Sequence, residues 1–536
     1  MGTFQNIKAS LFGAKSSVDD TFYFEQIKKR FNISENGLYA GRILHKAYKL
    51  YPEHDALIDK DRSLSYKEFF YRSICLSKKF HGMGITKGDR ILLFCENSIE
   101  LYIAYFAAWQ VGAVVVPVNI FLHQKELVFI IQDSEPKLIV ASSSLVQTIE
   151  KLLTEGALTV LPPLLNCDDI DTQSELPNTA HQEMESFSIV ELGYDEMCTL
   201  LYTSGTTGVP KGVMLSSRNI LTNTMQGYAR FMLCGLTDKE RFFCVLPLFH
   251  VFAQNSCLWL PVMTGSSVII VRKIDRKLIL EGLIKKPTVF FGFPALYGLL
   301  CLMKNAPLDS IKLFVSGADM LPDKIRAAFA IIYGRRICSG YGLSEASPVV
   351  GVNQQNTSLP TNIIGKPVTG LMCDIRNEMG ESVKQGEIGT LWIKGDNIMM
   401  GYYKSPEATA LILRDGWLNT GDLASLDQFG NLAITGRIKD VIIHKGFNIY
   451  PAEIENILLM HPVVFKAAVI GHAEEASGQV PVAYVAVKNR TPDLEKALRD
   501  LCNSNLASYK IPRKFICLDD LPMNATGKVD KKQLKI

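Results

Sequence analysis

From Leu38 onward the chain alternates between two hydrophobic rhythms. Ser65-Tyr66-Lys67-Glu68 reads as a capping box, in which the serine hydroxyl accepts from the third amide and the glutamate reaches back. Phe69, Phe70, Ile74 and Phe80 follow at roughly helical spacing, and Gly82 supplies a stop. Arg90-Ile91-Leu92-Leu93-Phe94 is then an apolar run of strand length. The alternation predicts a helix near 98–110, a strand near 113–118, a helix near 123–132 and a strand near 137–141, with later strands at 267–271, 288–292 and 312–316. Short apolar runs between helical stretches imply an α/β fold: a large N-terminal domain of layered, mostly parallel sheets flanked by helices. The most membrane-like stretch, Ala104 to Leu122, contains Gln110, Asn119 and Pro117, with Gly112 before Val114-Val115-Val116. A buried helix running into a buried strand fits it better than a membrane span.

The rhythm breaks in three places. Residues 1–36 are a polar mixture with little pattern and read as a surface arm. Asn166–Phe187 is rich in Asp, Glu, Ser, Thr and Gln and reads as an exposed connection within one large domain. After Gly436-Arg437, Val441-Ile442-Ile443 predicts a strand, and Tyr450-Pro451 opens a short helix, Ala452 to Met460, with Glu453 and Glu455 near its positive end. Strands near 465–470 and 481–487 and a helix near 493–506 complete a small α+β C-terminal domain. The expected division is an arm over 1–36, a large domain over 37–438 and a small domain over 439–536, with the boundary near Lys439.

Composition adds limits. At 536 residues the chain has room for three or four domain-sized units at about 150 residues each. Hydrophobic residues at 47% and charged residues at 21% exclude a wholly disordered protein. A net charge of +3 disfavours a nucleic-acid binder working through bulk charge. Twelve cysteines form no CxxC pair and have no histidine at metal-ligand spacing. They read as reduced thiols, mostly core filler, in a reducing compartment such as the cytoplasm. The N-terminus lacks a signal-peptide core, and Asn6 stands where a myristoylation site wants Ser or Thr. No membrane anchor is visible, which leaves peripheral membrane contact open.

The strongest chemical signal is Leu201-Tyr202-Thr203-Ser204-Gly205-Thr206-Thr207-Gly208-Val209-Pro210-Lys211-Gly212. Glycines let backbone amides turn toward an anion, hydroxyls add donors and Lys211 adds a point charge, which together make a phosphate cradle. It is not a Walker A loop: Pro210 and Gly212 stand where that motif requires Gly and Ser or Thr.

With that loop the sequence resembles the adenylate-forming, AMP-binding enzymes, the acyl-CoA synthetases, luciferases and peptide-synthetase adenylation domains. The resemblance runs over about residues 38–536 and rests on separated motifs in the family's order. Tyr202–Gly212 resembles the phosphate loop, and Leu246-Pro247-Leu248-Phe249-His250-Val251-Phe252 the segment lining the acyl and thiol passage. Ser339-Gly340-Tyr341-Gly342-Leu343-Ser344-Glu345 is similar to the adenine and metal segment, and Thr420-Gly421-Asp422 to the ribose acid. Gly436-Arg437-Ile438-Lys439-Asp440 resembles the ribose-binding arginine and the hinge, and Leu521–Lys528 the loop with the catalytic lysine.

The resemblance implies a carboxylic acid:CoA ligase that uses ATP, Mg²⁺ and coenzyme A. ATP and acid give acyl-AMP and pyrophosphate, and the CoA thiol then displaces AMP. Lys528 is the implied catalytic cation. His250 is either a gate to the acid and thiol or an ordinary partly buried histidine. Thr203, Ser204, Gly205, Thr206, Thr207, Gly208, Lys211, Gly317, Ala318, Gly340, Tyr341, Gly342, Ser344, Asp422 and Arg437 are implied at the nucleotide, and Glu345 at the metal. The small domain is implied to be mobile, rotating about Lys439 to exchange Lys528 for Lys445-Gly446-Phe447 at the CoA passage.

Phe249-His250-Val251 holds no acid to pair with a substrate ammonium, which disfavours amino acids, and the apolar runs 246–265 and 288–300 suit a fatty or other apolar acid. Ile443 stands where several relatives carry a second lysine, and Lys445 is out of register with it. The alternatives are an acyl-AMP ligase loading a separate acyl carrier protein, as the chain ends eight residues after Lys528, a luciferase-type oxidase, and a catalytically silent nucleotide- or lipid-binding protein. Acyl length and oligomeric state have no sequence signal.

Overall fold

The computed structural model describes residues 20–33, 37–60, 62–203, 210–237, 239–353, 360, 362–444, 447–474, 478–488, 490–523 and 528–534. Among these residues the strands form four sheets. An eight-stranded sheet runs in the order 349–352, 338–342, 313–316, 289–292, 241–244, 267–270, 55–59, 62–65, parallel except at its two ends. A seven-stranded sheet runs 401–402, 211–216, 197–203, 114–117, 90–94, 138–141, 164–166, with antiparallel pairing confined to its first three strands.

The two sheets share a helical layer. Helix Ile99–Gln110 is capped by Ser98 and buried at every residue. Such a helix needs partners for its polar groups. Tyr102 donates to the Cys257 carbonyl at 2.7 Å, Tyr105 to Gln254 Oε1 at 3.0 Å, and Gln110 to Ser73 at 2.9 Å. The chain then passes directly into the buried strand Val114–Pro117, so the apolar stretch is interior, and no helix among the described residues is long and apolar enough to cross a membrane. The capping box forms as expected at the start of helix Tyr66–Gly82, with Ser65 N–H donating to Glu68 at 2.8 Å.

One expectation needs correction. The second half of the expected surface arm is helix Asp20–Arg30, which packs against helix Ser217–Met232. Ile27 and Phe31, one turn apart, are fully buried there, and Asp20 pairs with Arg230 at 2.5 Å. The polar connection 166–187 is largely exposed, and it is anchored where buried Arg72 donates to the Asp171 and Ser174 carbonyls at 3.2 and 2.7 Å.

The third sheet has no counterpart in the sequence reading. It is antiparallel, built from 372–376, 389–394, 417–426, 413–414 and 432–437. The fourth contains 447–449, 442–444, 478–487, 464–474 and 514–518 and packs on helices Pro451–Leu459 and Leu494–Asn505. All twelve cysteines are free thiols, seven of them buried.

Candidate functional site

The parallel strands of the eight-stranded sheet release the chain at their carboxyl ends, the edge at which ligands of open α/β sheets collect. Strand Arg241–Cys244 leads to His250, and strand Leu313–Ser316 to Gly317, Ala318 and Asp319. Strand Cys338–Gly342 carries Gly340, Tyr341 and Gly342. Ala318 is held at φ 68°, a left-handed conformation that costs a non-glycine residue about 1–3 kcal/mol. Gly342 has no room for a side chain: a Cβ there would lie 2.2 Å from the Pro348 carbonyl oxygen. This close return folds Ser344–Ala346 into a single 3-10 turn and fixes Glu345 at the rim.

One corner joins two sheets. Asp422 and Arg437 are cross-strand partners in the antiparallel sheet, and their side chains pair at 3.1 Å. The Tyr341 hydroxyl donates to the other carboxylate oxygen of Asp422. Burial raises the Asp422 pKa against the opposing pull of Arg437, Tyr341, Lys528 and Lys439. Burial and the neighbouring carboxylate likewise push the Tyr341 phenol well above its usual value. The corner offers an aromatic face beside a carboxylate whose charge is held by two donors, suited to a flat base and a vicinal diol.

The phosphate side is a hairpin. Strands Met197–Thr203 and Lys211–Ser216 pair in register Thr203↔Lys211, so the expected cradle falls in the segment that joins them. Ser204, Gly205, Thr206, Thr207 and Gly208 lie outside the described residues. Tyr202 anchors the strand end by donating to Asp133 at 2.5 Å. Lys211 Nζ sits 5.0 Å from the centroid of the Tyr402 ring, and the Tyr402 hydroxyl donates to Glu345 Oε1 at 2.8 Å. One tyrosine thus ties the cradle's lysine to the candidate metal acid, leaving Glu345 Oε2 as a hard donor. That fits Mg²⁺, which is held by one or two carboxylates together with substrate phosphates and water. Among the described residues no cluster of three or more His, Cys, Asp or Glu forms an all-protein cage.

The small domain supplies Lys528. Burial lowers its pKa; Asp319 and Asp422 oppose that shift, and Arg437 and Lys439 add to it. It is therefore within electrostatic reach of the corner just described, from another folding unit. It also acts on His250, whose pKa is lowered to about 4 by burial and by Lys528. His250 Nδ1 accepts from Phe252 N–H at 3.2 Å, so the neutral ring carries its proton on Nε2. Lys439 lies in the turn Ile438–Asp440, its pKa lowered by burial and by Arg437.

Phe447 opens strand Phe447–Ile449, paired with His444 in the small sheet, while Lys445 and Gly446 lie outside the described residues. Tyr402 and Asp319 escaped the sequence reading. For Tyr402 the only local signal is the pair Tyr402-Tyr403 behind Gly401, and for Asp319 it is an acid directly after Gly317-Ala318.

Against known proteins, residues 44–403 match the family described as AMP-binding enzyme, and residues 453–528 match the AMP-binding enzyme C-terminal domain. The chain is 30% identical over 520 residues to the long-chain-fatty-acid–CoA ligase of Escherichia coli O6:H1, covering 90% of this chain and 92% of that one. The o-succinylbenzoate coenzyme A synthetase MenE of Bacillus subtilis, solved with ATP and magnesium ion, superposes with a TM-score of 0.80 at 28% identity, covering 92% of this chain and 99% of that one. ATP-bound MatB of Rhodopseudomonas palustris gives 0.81 at 27% identity, with 92% and 98% coverage.

Proposed function

We propose that this chain, which belongs to the AMP-binding enzyme family and is an ATP-dependent, AMP-forming acyl-CoA synthetase, activates a fatty acid or another apolar carboxylic acid. The observation that supports the site assignment is the corner in which Asp422 accepts from Tyr341 and pairs with Arg437, with Lys528 of the small domain acting electrostatically on Asp422, Arg437 and His250. Two anions must join in the first step: a carboxylate oxygen bonds to the α-phosphorus of ATP as the bond to pyrophosphate breaks. Lys528 brings positive charge to that point.

In this reading Tyr341 stacks on adenine, and Asp422 with Arg437 holds the ribose hydroxyls. Gly317, Ala318, Gly340, Gly342 and Ser344 border the nucleotide, and Thr203, Lys211 and the loop Ser204–Gly208 take the phosphates. Glu345 would hold Mg²⁺, which supplies charge neutralisation of the phosphate oxygens. His250, neutral at pH 7, presents an Nε2–H donor to the acid.

The acyl chain follows the aromatic wall below. The Phe252 ring closes against Gly317, 3.1 Å from where a Cβ would stand, and lies edge-on to Phe291 with centroids 5.9 Å apart. The 30%-identical relative named for long-chain fatty acids supports the same substrate class. The small domain, 439–536, then turns about Lys439, withdraws Lys528 and brings Lys445-Gly446-Phe447 to the thiol path. The free thiols support a reducing, cytoplasmic setting.

Pyrophosphate release across acids from acetate to long fatty acids, with aromatic acids included, tests the substrate class. Each methylene buried is worth about 0.8 kcal/mol, so specificity should rise about fourfold per carbon until the slot is filled. Preference for acetate over every fatty and aromatic acid overturns the assignment; preference for an aromatic acid over every fatty acid moves it to the other apolar acids. A second expectation concerns pH. Lys528 loses its charge as pH rises through its lowered pKa, so kcat/KM for acyl-AMP formation should fall on an alkaline limb beginning below the ~10.4 of an ordinary lysine. K528R should abolish that limb, because arginine stays charged. A limb at the ordinary lysine value counts against the cluster around Lys528.

A further inference from the structure

We propose that Lys324 is a positioning residue that holds the small domain in the orientation presenting Lys528, and so sets how the enzyme divides between acyl-AMP formation and thioester formation. The proposal rests on the reading that the small domain turns between the two half-reactions. Lys324 lies in the first turn of helix Asp323–Tyr333, on the large domain. Its Nζ donates to three carbonyl oxygens of the small domain: His461 at 3.2 Å, Pro462 at 3.2 Å and Val464 at 3.1 Å.

An ammonium has three donors, and all three have acceptors here. The acceptors lie just beyond helix Pro451–Leu459, in the turn after its C-cap Met460 and at the first residue of strand Val464–Glu474, so the ammonium sits near the negative end of that helix's dipole. A cation at the start of its own helix meets the wrong end of that dipole. The charge on Lys324 is therefore matched by the small domain rather than by its own helix.

The contact belongs to a longer reader of domain position. The segment leaving strand Leu313–Ser316 passes the nucleotide corner at Gly317 and Ala318 and places Asp319 within electrostatic reach of Lys528. It then receives an Asn456 Nδ2 bond on Met320 Sδ at 3.4 Å before ending in Lys324. Within six residues two points bond to the small domain and a third, Asp319, acts on Lys528 electrostatically, and a rotation about Lys439 carries every partner away. No other chemistry competes for Lys324, which has no place in the nucleotide corner or the phosphate hairpin.

The test uses the full chain and separates the half-reactions. Acid-dependent ATP–pyrophosphate exchange reads acyl-AMP formation; thioester production from supplied acyl-AMP and CoA reads the second step. K324M keeps the stem and removes the donors. It should lower exchange on the order of 10-fold, the weight of a charged hydrogen-bonding group, while leaving thioester production from supplied acyl-AMP unchanged or faster. K324R, which still donates, should recover most of the exchange. Equal loss in both half-reactions, or unchanged exchange in K324M, overturns the proposal while the wild-type chain remains an active ligase. Absence of exchange in the wild-type chain overturns the enzymatic reading, and this proposal with it.

Discussion

Replacing Lys528 with alanine should leave ATP bound and lower acid-dependent ATP–pyrophosphate exchange by about 10²-fold or more, the usual loss when one preorganised donor to a developing anion is removed. The two effects separate because they come from different parts of the chain. Nucleotide contacts are assigned to Tyr341, Asp422 and Arg437, whose bonds to one another do not involve Lys528. Lys528 comes from the small domain and acts electrostatically on His250 as well as Asp422, the residues assigned to the acid and to the nucleotide. Arg437 and Lys439 remain nearby as residual positive charge, so exchange should fall without vanishing. Calorimetric titration with ATP and radiolabelled pyrophosphate exchange check both halves. Unchanged exchange removes Lys528 from the chemistry; lost ATP binding makes it a nucleotide-holding residue. Thioester formation from supplied acyl-AMP should survive in the variant, because the rotation assigned to Lys439 has by then withdrawn Lys528.

How much of this was legible depended on whether the signal was local. Strands buried on both faces declare themselves as apolar runs: Arg90–Phe94 and Val114–Pro117 were plain because nothing polar interrupts their buried faces. The antiparallel sheet was not, since Met372–Arg376 and Trp417–Leu426 mix buried, half-buried and exposed positions without clean alternation. Asp422 was nevertheless found through its motif, while its partnership with Arg437 across two strands needed the fold. Tyr402 was missed because a tyrosine after a glycine looks like filler until strand Gly401–Tyr402 pairs with the phosphate hairpin and lays the ring beside Lys211. Helix Asp20–Arg30 was missed for the same reason: its buried Ile27 and the Phe31 that follows it make sense only against helix Ser217–Met232. Lys324 gives no sequence signal, since its acceptors stand about 140 residues away in another domain.

Exchanging Asp422 for asparagine should weaken ATP binding on the order of 10²-fold while leaving the melting temperature of the ligand-free protein level or higher. The carboxylate is 4% exposed and is held by Arg437 and Tyr341, yet burial still raises its pKa above the unfolded value. A raised carboxyl pKa means that the folded state binds the proton more tightly than the unfolded chain. Stability therefore falls as pH rises from the unfolded pKa through the folded one, and the deficit remains at pH 7. Asparagine is neutral and nearly isosteric, so it removes that deficit. What it also removes is charge: a carboxylate accepting from two ribose hydroxyls makes charge-assisted bonds worth about 1.5–3 kcal/mol each, and an amide replaces at most one of them as a neutral acceptor. Thermal melts with and without ATP read both quantities at once, because a ligand raises the melting temperature only as far as its affinity allows. The variant should start level with or above the wild type and gain less from ATP. A drop of several degrees without ligand, with the ATP-induced shift intact, would make Asp422 a brace for the antiparallel sheet and return the ribose to Arg437 alone. The expected pattern instead describes a buried charge that only the bound nucleotide makes favourable, a stability cost tolerated at a site because function needs it.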